Sequence, residues 1–468
     1  MPRRRFFIFG SAKVTDPTSI LRYPEGKRYY REFHNIRRGH IDPDALKVIS
    51  RLQQFGYKAY LVGGSVRDLL LGIRPKDYDI VTNAKPNEIR KIFNNSRIIG
   101  KRFKIVHVIF RGNKIIEVAT ARSIPATRIQ AKDEEGLYLK RDNIYGTFKE
   151  DAARRDFTIN SLFYDVRNET ILDYTGGLQD LQNKVIRVIT TEKISFPEDP
   201  VRMLRAVKFA ALLDFSLHPD LIKGIKKYRK LIRKAAVARL HEEINKIFRT
   251  GQSAKIFEML VDTRLAEGLL PTIWQELKLK PGQFNKTKLA NRLKIADRMI
   301  EEHEDINTNI YYALLLHDIM QKAFEKANIS KGSKAERILK AKAILEKYGN
   351  ELGLTKREID RLAVMFAVQN QFRKNKENKS WIRKFKNEDF FLEAFILYKI
   401  IAISEKDEDA IQKALFWEIG LRQKLPDAIR KTWIRALPEI NDAVATKYDK
   451  KLRTTKKRKS AIGIKKKN

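Results

Sequence analysis

Two aspartates stand one residue apart in RPKDYDIVTNA, residues 74–84, within a chain of formal net charge +39. Asp77 and Asp79 bracket a tyrosine, and DYDIVT reads as a strand. In a strand, residues i and i+2 point to one face, about 6.6–6.8 Å apart along the chain. Carboxylates so placed repel unless something positive lies between them. A hard divalent cation answers that need, because Mg2+ prefers oxygen and is usually held by one or two carboxylates plus substrate phosphates. The spacing also suits two ions roughly 3.5–4 Å apart, the arrangement for in-line phosphoryl chemistry. A lone Asp-x-Asp is common in turns and surface strands, so its neighbours matter.

Those neighbours fit an anionic ligand. Gly63 and Gly64, in LVGGSVRD, join a strand pattern to a helix pattern. A glycine pair there brings backbone N–H groups close to a ligand, and a helix N-terminus favours an anion. Arg67 falls in the first turn of that helix, where a guanidinium can clamp a phosphate. A third carboxylate, Glu117 in IIEVAT, alternates with Ile116 and Val118 and faces away from them. It has two readings of equal weight, a further metal ligand or a glutamate on the solvent face.

The elements that position these residues follow from periodicity. Residues 45–56 read as an amphipathic helix, YKAYLVGG as a strand and SVRDLLLG as a short helix. PNEIRKIFNN reads as a helix, and IVHVIFRGNKIIEVAT as a hairpin turning at RGNK. Residues 123–149 show neither period, which marks a functional or disordered loop. FYDVRNETILDYTGG reads as a second hairpin, and past 197 nearly everything reads as helix. The expected organisation is a basic extension (1–43), an α/β head (44–190), a helical neck (191–270), a helical body (271–449) and a disordered basic tail (450–468).

Composition sets the partners. The 468 residues carry 96 Lys plus Arg against 57 acids, which favours a polyanion such as nucleic acid. The tail holds Lys450, Lys451, Arg453, Lys456, Lys457, Arg458 and Lys459 with no acid, suited to lying along RNA phosphates. In 373–388, Trp381 and Phe385 sit one helical turn apart among basic residues, either as a stacking surface or as core anchors. No apolar run spans a membrane, and FFIFG is shorter than the roughly 7–15 residues of a signal peptide core. The absence of cysteine excludes disulfides and thiolate metal sites and fits a cytoplasmic protein. His317–Asp318 is the pair found in metal phosphohydrolases, but it lacks further ligands nearby in sequence and reads as a capped or core-edge histidine. Trp274, Trp417 and Trp433 read as packing residues. His107 has two readings, support for the site or simple packing.

LVGGSVRDLLLG with KDYDIVT, then EDAARRDFTINSLFYD (150–165), then FPEDPVRMLRAVKFAA (196–211) resemble the class II nucleotidyltransferases of the DNA polymerase beta superfamily. That group comprises bacterial poly(A) polymerases and tRNA CCA-adding enzymes, and the resemblance covers roughly residues 40–270. It implies a polymerase beta-like mixed sheet followed by an all-α body. It makes Asp77 and Asp79 the ligands of two Mg2+ ions, and Gly63, Gly64 and Arg67 the triphosphate contacts. Arg155 becomes a nucleotide contact, Asp156 a catalytic or sugar-handling acid, and Asn160 faces the same side. Asp199 and Arg202 match the pair that reads the incoming base, because a carboxylate accepts from the amino group of A or C and a guanidinium donates to ring nitrogen or carbonyl. Arg205 and Lys208 continue that helix face. The family usually has Arg at position 208, and Lys meets a phosphate only as a point charge.

The expected reaction is template-independent addition of AMP from ATP to RNA 3′ ends. IIGKRFKIVHVIF (98–110), the basic extension and the basic tail resemble the poly(A) polymerase branch. CCA addition is the alternative, and a non-catalytic RNA-binding protein on the same scaffold a more distant one. The resemblance also implies that the loop 123–149 closes over the nucleotide.

Overall fold

A computed structural model describes residues 21–100, 104–123, 144–301, 306–327, 329, 332–374 and 379–422. The expectations for the basic tail, Trp433 and most of the loop 123–149 lie outside the described residues. The chain forms two compact units. Among the described residues, one gathers those up to Glu243 with 258–274 and 280–282; the other gathers 244–257, 275–279 and those from 283 onward.

The first unit is built on an eight-stranded sheet. Its strands are β1 (Lys27–Tyr29), β2 (Ala59–Val62), β3 (Asp79–Thr82), β4 (Ser96–Ile99), β5 (Ile105–Ile109), β6 (Ile115–Thr120), β7 (Phe163–Asp165) and β8 (Thr170–Asp173). They lie in the order β1-β8-β7-β2-β3-β6-β5-β4. The β3–β6 pair is parallel and the others antiparallel, so the sheet is mixed. Both expected hairpins form. RGNK turns with φ of 72° at Gly112 and 58° at Asn113. At the other turn, Asp165 accepts from the Arg167 N–H at 3.0 Å.

Helix α1 (Pro43–Gln54) starts where Asp42 accepts from the Asp44 N–H at 2.9 Å and Pro43 takes the first position. Its Ala45, Val48, Ile49 and Leu52 repeat at helical spacing and are all buried. Together with Ile89 and Ile92 of α3 (Pro86–Ile92) they cover one face of the sheet, against Leu61, Ile80, Val106, Ile116 and Val118. The opposite face buries Tyr60, Val62, Val81, Ala152 and Phe163. This two-sided burial explains why β2 is wholly apolar instead of alternating.

Several elements differ from the sequence expectation. β3 begins at Asp79, so Asp77 lies in a bend ahead of the strand. Residues 21–43 are not wholly irregular: β1 is an edge strand, and Leu21, Ile36 and Ile41 are buried. Three paired residues are too few to show a period. A two-stranded parallel sheet joins Val185–Ile186 to Ser216–Leu217.

The second unit is helical in its described residues. Its central helix, Phe391–Glu405, is buried on nearly every side, as an all-round apolar sequence demands. Trp417 is 1 % exposed and donates Nε1–H to the Phe372 carbonyl at 3.1 Å, amid the rings of Phe385 and Phe391. Trp381 stacks on the buried Phe385 at 4.9 Å. Trp381 and Phe385 are therefore core anchors.

Candidate active site

β2 delivers the chain to Gly63, whose φ of 78° lies in the region that favours glycine. Space also demands glycine, since a Cβ there would stand 3.3 Å from Arg155 Nη1 and 3.7 Å from Asp79 Oδ2. The turn thus places backbone, guanidinium and carboxylate within one small volume. Helix α2 (Gly64–Leu70) follows. Its Arg67 is 8 % exposed, donates Nη1–H to Asn160 Oδ1 at 2.8 Å and pairs with Asp68 at 2.7 Å.

Asp79 opens β3 between Val62 of β2 and Glu117 of β6. Ile80 and Val81 go to opposite cores, so Asp79 and Glu117 share the face turned away from α1 and α3. Burial pushes the Asp79 carboxyl up to about 6; Glu117 adds to the rise, Arg155 opposes it and Asp77 adds again. Asp77 itself is exposed. The residue between them, Tyr78, is buried and donates its hydroxyl to the His40 carbonyl at 3.2 Å, pinning the bend that carries Asp77. Glu117 also faces His107 across β5–β6, with His107 Nε2 3.5 Å from Glu117 Oε1.

A cation between these acids would relieve both the burial and the repulsion, so the donor set fits a hard divalent metal. The three carboxylates do not converge on one point. Among the described residues, the one His/acid group whose ligand atoms all lie within 4.8 Å of one another is His317–Asp318–Glu405, in the other unit. Convergence of three protein ligands is not required of Mg2+, which completes its shell with water and substrate phosphate.

A second layer braces the first. Helix α4 (Phe148–Ala153) ends just before Arg155, which pairs with Asp151 at 2.9 Å and lies over the Phe163 ring. Asp156 accepts from Arg205 Nε–H at 3.0 Å and Nη2–H at 2.7 Å, and from Asn160 Nδ2–H at 3.2 Å. Burial alone would raise its carboxyl; the Arg205 guanidinium and the Asn160 amide more than offset that and hold it below the ordinary value.

Helix α7 (Val201–Leu213), reached through α5 (Gly177–Gln182) and α6 (Glu192–Glu198), supplies the rest. Asp199 and Arg202 do not pair with each other. Asp199 is held by both arms of Arg239, at 2.8 Å each. Arg202 donates to Glu198 at 2.9 Å and to Ser195 Oγ at 3.1 Å. Lys208 departs from the phosphate-contact expectation: it is 6 % exposed and its ammonium is ion-paired with Glu243, because a buried charge needs a partner. Phe209 gathers three cations on its ring, Arg67 at 5.0 Å, Arg205 at 5.2 Å and Lys208 at 5.4 Å.

Sequence reasoning missed Asp151, Glu198, Phe209, Arg239 and Glu243. Asp151–Arg155 and Glu198–Arg202 were readable as acid–base pairs four apart in sequence, and each straddles a helix end: α4 stops at Ala153, and Glu198 closes α6 while Arg202 lies in α7. The others have no local signal. The described ends of the 123–149 loop are pinned together: the Ser123 N–H donates to Ile144 at 2.8 Å and the Gly146 N–H to Ala121 at 2.9 Å.

Comparison with known proteins bears on the family and the fold. Residues 59–187 match the family model described as the poly A polymerase head domain, and 214–277 match the probable RNA and SrmB-binding site of polymerase A. Poly(A) polymerase I of Salmonella typhi is 36% identical over 395 residues, 83% of this chain and 84% of the relative. Poly(A) polymerase I of Escherichia coli O6:H1 is 41% identical over 301 residues, 63% of this chain and 64% of that one. The CCA-adding enzyme of Lactobacillus helveticus is 35% identical over 223 residues, 48% of this chain and 54% of the relative. Among solved structures, the Bacillus stearothermophilus CCA-adding enzyme in complex with CTP shares the fold, with a TM-score of 0.56 at 21% identity over 89% of this chain and 100% of that chain. A tRNA nucleotidyltransferase complexed with a primer tRNA and an incoming ATP analog gives 0.55 at 27% identity over 81% and 100%. A relative aligned along five-sixths of its own length, together with a matched head domain, establishes that the chain belongs to the poly(A) polymerase family of nucleotidyltransferases.

Proposed function

We propose that the chain adds AMP from ATP to RNA 3′ ends without a template, by in-line nucleotidyl transfer that releases pyrophosphate. The observation that carries the chemistry is Asp79. Its carboxyl is largely buried beside the Gly63 turn, crowded by Glu117 and Asp77, and pushed up to about 6. A protein tolerates such a carboxylate where a cation and a phosphate are to be bound.

Two Mg2+ ions, held by Asp77 and Asp79 with Glu117 alongside, would supply activation of the 3′-hydroxyl and neutralisation of the triphosphate. The chain's own groups do the remaining work. The Gly63–Gly64 turn leaves room for phosphate oxygens, and Arg155 and Arg67 supply positive charge beside it. Asp156, locked by Arg205 and Asn160, holds the Thr158–Asn160 segment under the nucleotide. Asp199 and Arg202 meet the base edge, each set in place by its own partner, Arg239 and Glu198. Catalysis here is positioning and charge neutralisation, with no covalent enzyme intermediate.

Adenylate is favoured because relatives named poly(A) polymerase I align along most of the chain, whereas the CCA-adding relative aligns along about half. CCA addition remains the second reading, supported by the tRNA nucleotidyltransferase structure at 27% identity. The polyadenylation reading goes with a cytoplasmic enzyme acting on mRNA and other transcripts. The test incubates RNA with ATP and Mg2+ and reads pyrophosphate release and 3′ extension. Wild type extends the RNA; Asp77→Ala binds it and adds nothing. Extension by Asp77→Ala contradicts the metal assignment.

A further inference from the structure

The segment ahead of α1 carries a surface that neither family match covers, since the first match begins at residue 59. Residues 21–41 hold six Lys or Arg against two acids. Among them Tyr30 and Phe33 are 55 % and 59 % exposed, so two large rings face water within one basic stretch. The Phe33 N–H donates to the Tyr30 carbonyl at 2.9 Å, a tight turn that sets the two side chains on one side of the chain. The Phe33 ring meets Tyr29 edge-on at 6.2 Å, and the Lys27 ammonium lies 4.8 Å from the centre of the Tyr29 ring. Phe33 is therefore held by its neighbours while its ring stays open to solvent.

Just past these rings the chain borders a groove of about 840 Å3, formed between residues 35–46 and residues 69–78. Asn35, two residues after Phe33, lines it, no more than about 7 Å along the chain. Leu46, Leu69 and the half-exposed Ile73 give the groove an apolar wall. Arg38 and Arg74 line it as well. Both are exposed, as is Arg37, and none of the three enters an ion pair among the described residues. The one acid in the lining, Asp42, is already paired with Lys114. The groove is thus positive, and the protein does not neutralise it. It lies on the α1 side of the sheet, because Leu69 and Tyr78 of its lining belong to that core, whereas Asp79 and Glu117 face the other way.

We propose that the rings of Tyr30 and Phe33 and the groove beside them form a binding surface for single-stranded RNA, which takes a stretch of the chain upstream of the 3′ end that reacts. The choice of RNA rests on the polyadenylation reading; the choice of place rests on the rings and the charge. Bases of any sequence stack on exposed aromatic rings, and phosphates follow guanidiniums that have no acid of their own. Sequence-tolerant contacts of both kinds suit a primer of arbitrary sequence. The groove falls within the roughly 300–1,000 Å3 of sites for drug-sized ligands, so a nucleotide unit fits it. Its place on the α1 side keeps this grip apart from the carboxylates that hold the reacting groups.

The test measures affinity for oligo(A) and for heparin, a polyanion without bases, across a salt series without ATP or Mg2+. It compares the full-length wild type with Tyr30→Ala/Phe33→Ala and with Arg37→Gln/Arg38→Gln/Arg74→Gln, with thermal unfolding as the folding control. The ring variant should lose about five- to tenfold in oligo(A) affinity at every salt concentration and nothing toward heparin. The arginine variant should flatten the plot of log affinity for oligo(A) against log salt by up to about 2, at about 0.7 for each phosphate no longer neutralised. In the wild type, ultraviolet crosslinks to RNA should reach residues 27–38, a readout that needs no variant to fold. Wild-type oligo(A) affinity in the ring variant overturns the proposal and leaves the rings to a protein partner. An equal loss toward heparin, or crosslinks absent from 27–38, overturns it as well. Because the binding assay contains no ATP, a chain that shows these losses yet fails to extend RNA would count against the polyadenylation reading alone.

Discussion

Asp79 is a carboxylate that the surrounding protein groups alone hold at a cost. Its carboxyl is pushed from the ordinary 3.8 to about 6, which penalises the charged form by roughly 2–3 kcal/mol. Asp79→Asn should therefore stabilise the protein in chelator at pH 8 by up to that amount while abolishing transfer, as paired urea-melt and extension assays would show. The sign follows from linkage: the native carboxyl protonates more readily than the unfolded one, so the wild-type penalty is full above pH 6 and vanishes below about pH 4. Asp156 behaves oppositely. Its carboxyl is depressed despite burial, because of Arg205, so it contributes stability that is present above the unfolded value near 4 and lost as pH falls through the native one. Asp156→Asn should cost about 3–5 kcal/mol at neutral pH, and its difference from wild type should shrink in urea melts on acidification. The acids were legible at this scale because Asp77, Asp79 and Asp156 sit in motifs. Their partners were legible only where a separation of four residues gave them away. Arg239 lies forty residues beyond Asp199, and only the folded chain brings the two together.

The site is a meeting of strand ends and turns, and the Gly63 turn is its tightest point. Gly63→Ala places a methyl 3.3 Å from Arg155 Nη1 on a backbone of φ 78°, and should cost about 1–2 kcal/mol while lowering extension activity more than tenfold. Circular dichroism melts and initial rates separate the two effects. If activity is retained at wild-type rates, the turn does not bound the triphosphate. Elements with many periods were readable in advance: α1 buries the face its spacing marks, and the two hairpins pair as their turn residues direct. The short elements were not. β1 is held by backbone pairing with β8 rather than by its own pattern, and β3 starts two residues later than DYDIVT suggests because its pairing with β2 and β6 begins at Asp79. That late start puts Asp77 in a bend whose position depends on Tyr78 reaching His40, a hydrogen bond that no period encodes.

At the scale of the whole molecule, the +39 charge dictates a salt-dependent grip on RNA. Removing residues 450–468 takes away ten basic residues, so log affinity plotted against log salt should flatten, by up to about 0.7 for each phosphate of a single strand that the tail had neutralised. Single-nucleotide addition at saturating primer should persist, because the acids and the Gly63 turn are untouched. The strands of the head and the helical character of the body were legible from alternating and 3.6-residue periods, whereas the mixed sheet was implied only by the family resemblance. The groove lined by Arg38 and Arg74 was not legible, since its walls come from segments that only the folded chain brings together. Adenylate transfer at the Asp79 site is read most directly on a primer-extension gel. An unrelated RNA and a tRNA lacking its last three residues are each offered Mg2+ with ATP alone, CTP alone or both. Adenylate transfer gives long ladders on both RNAs with ATP alone, abolished in Asp79→Asn. Growth confined to the tRNA, dependent on CTP and ending after three additions, would contradict it and make the chain a CCA-adding enzyme.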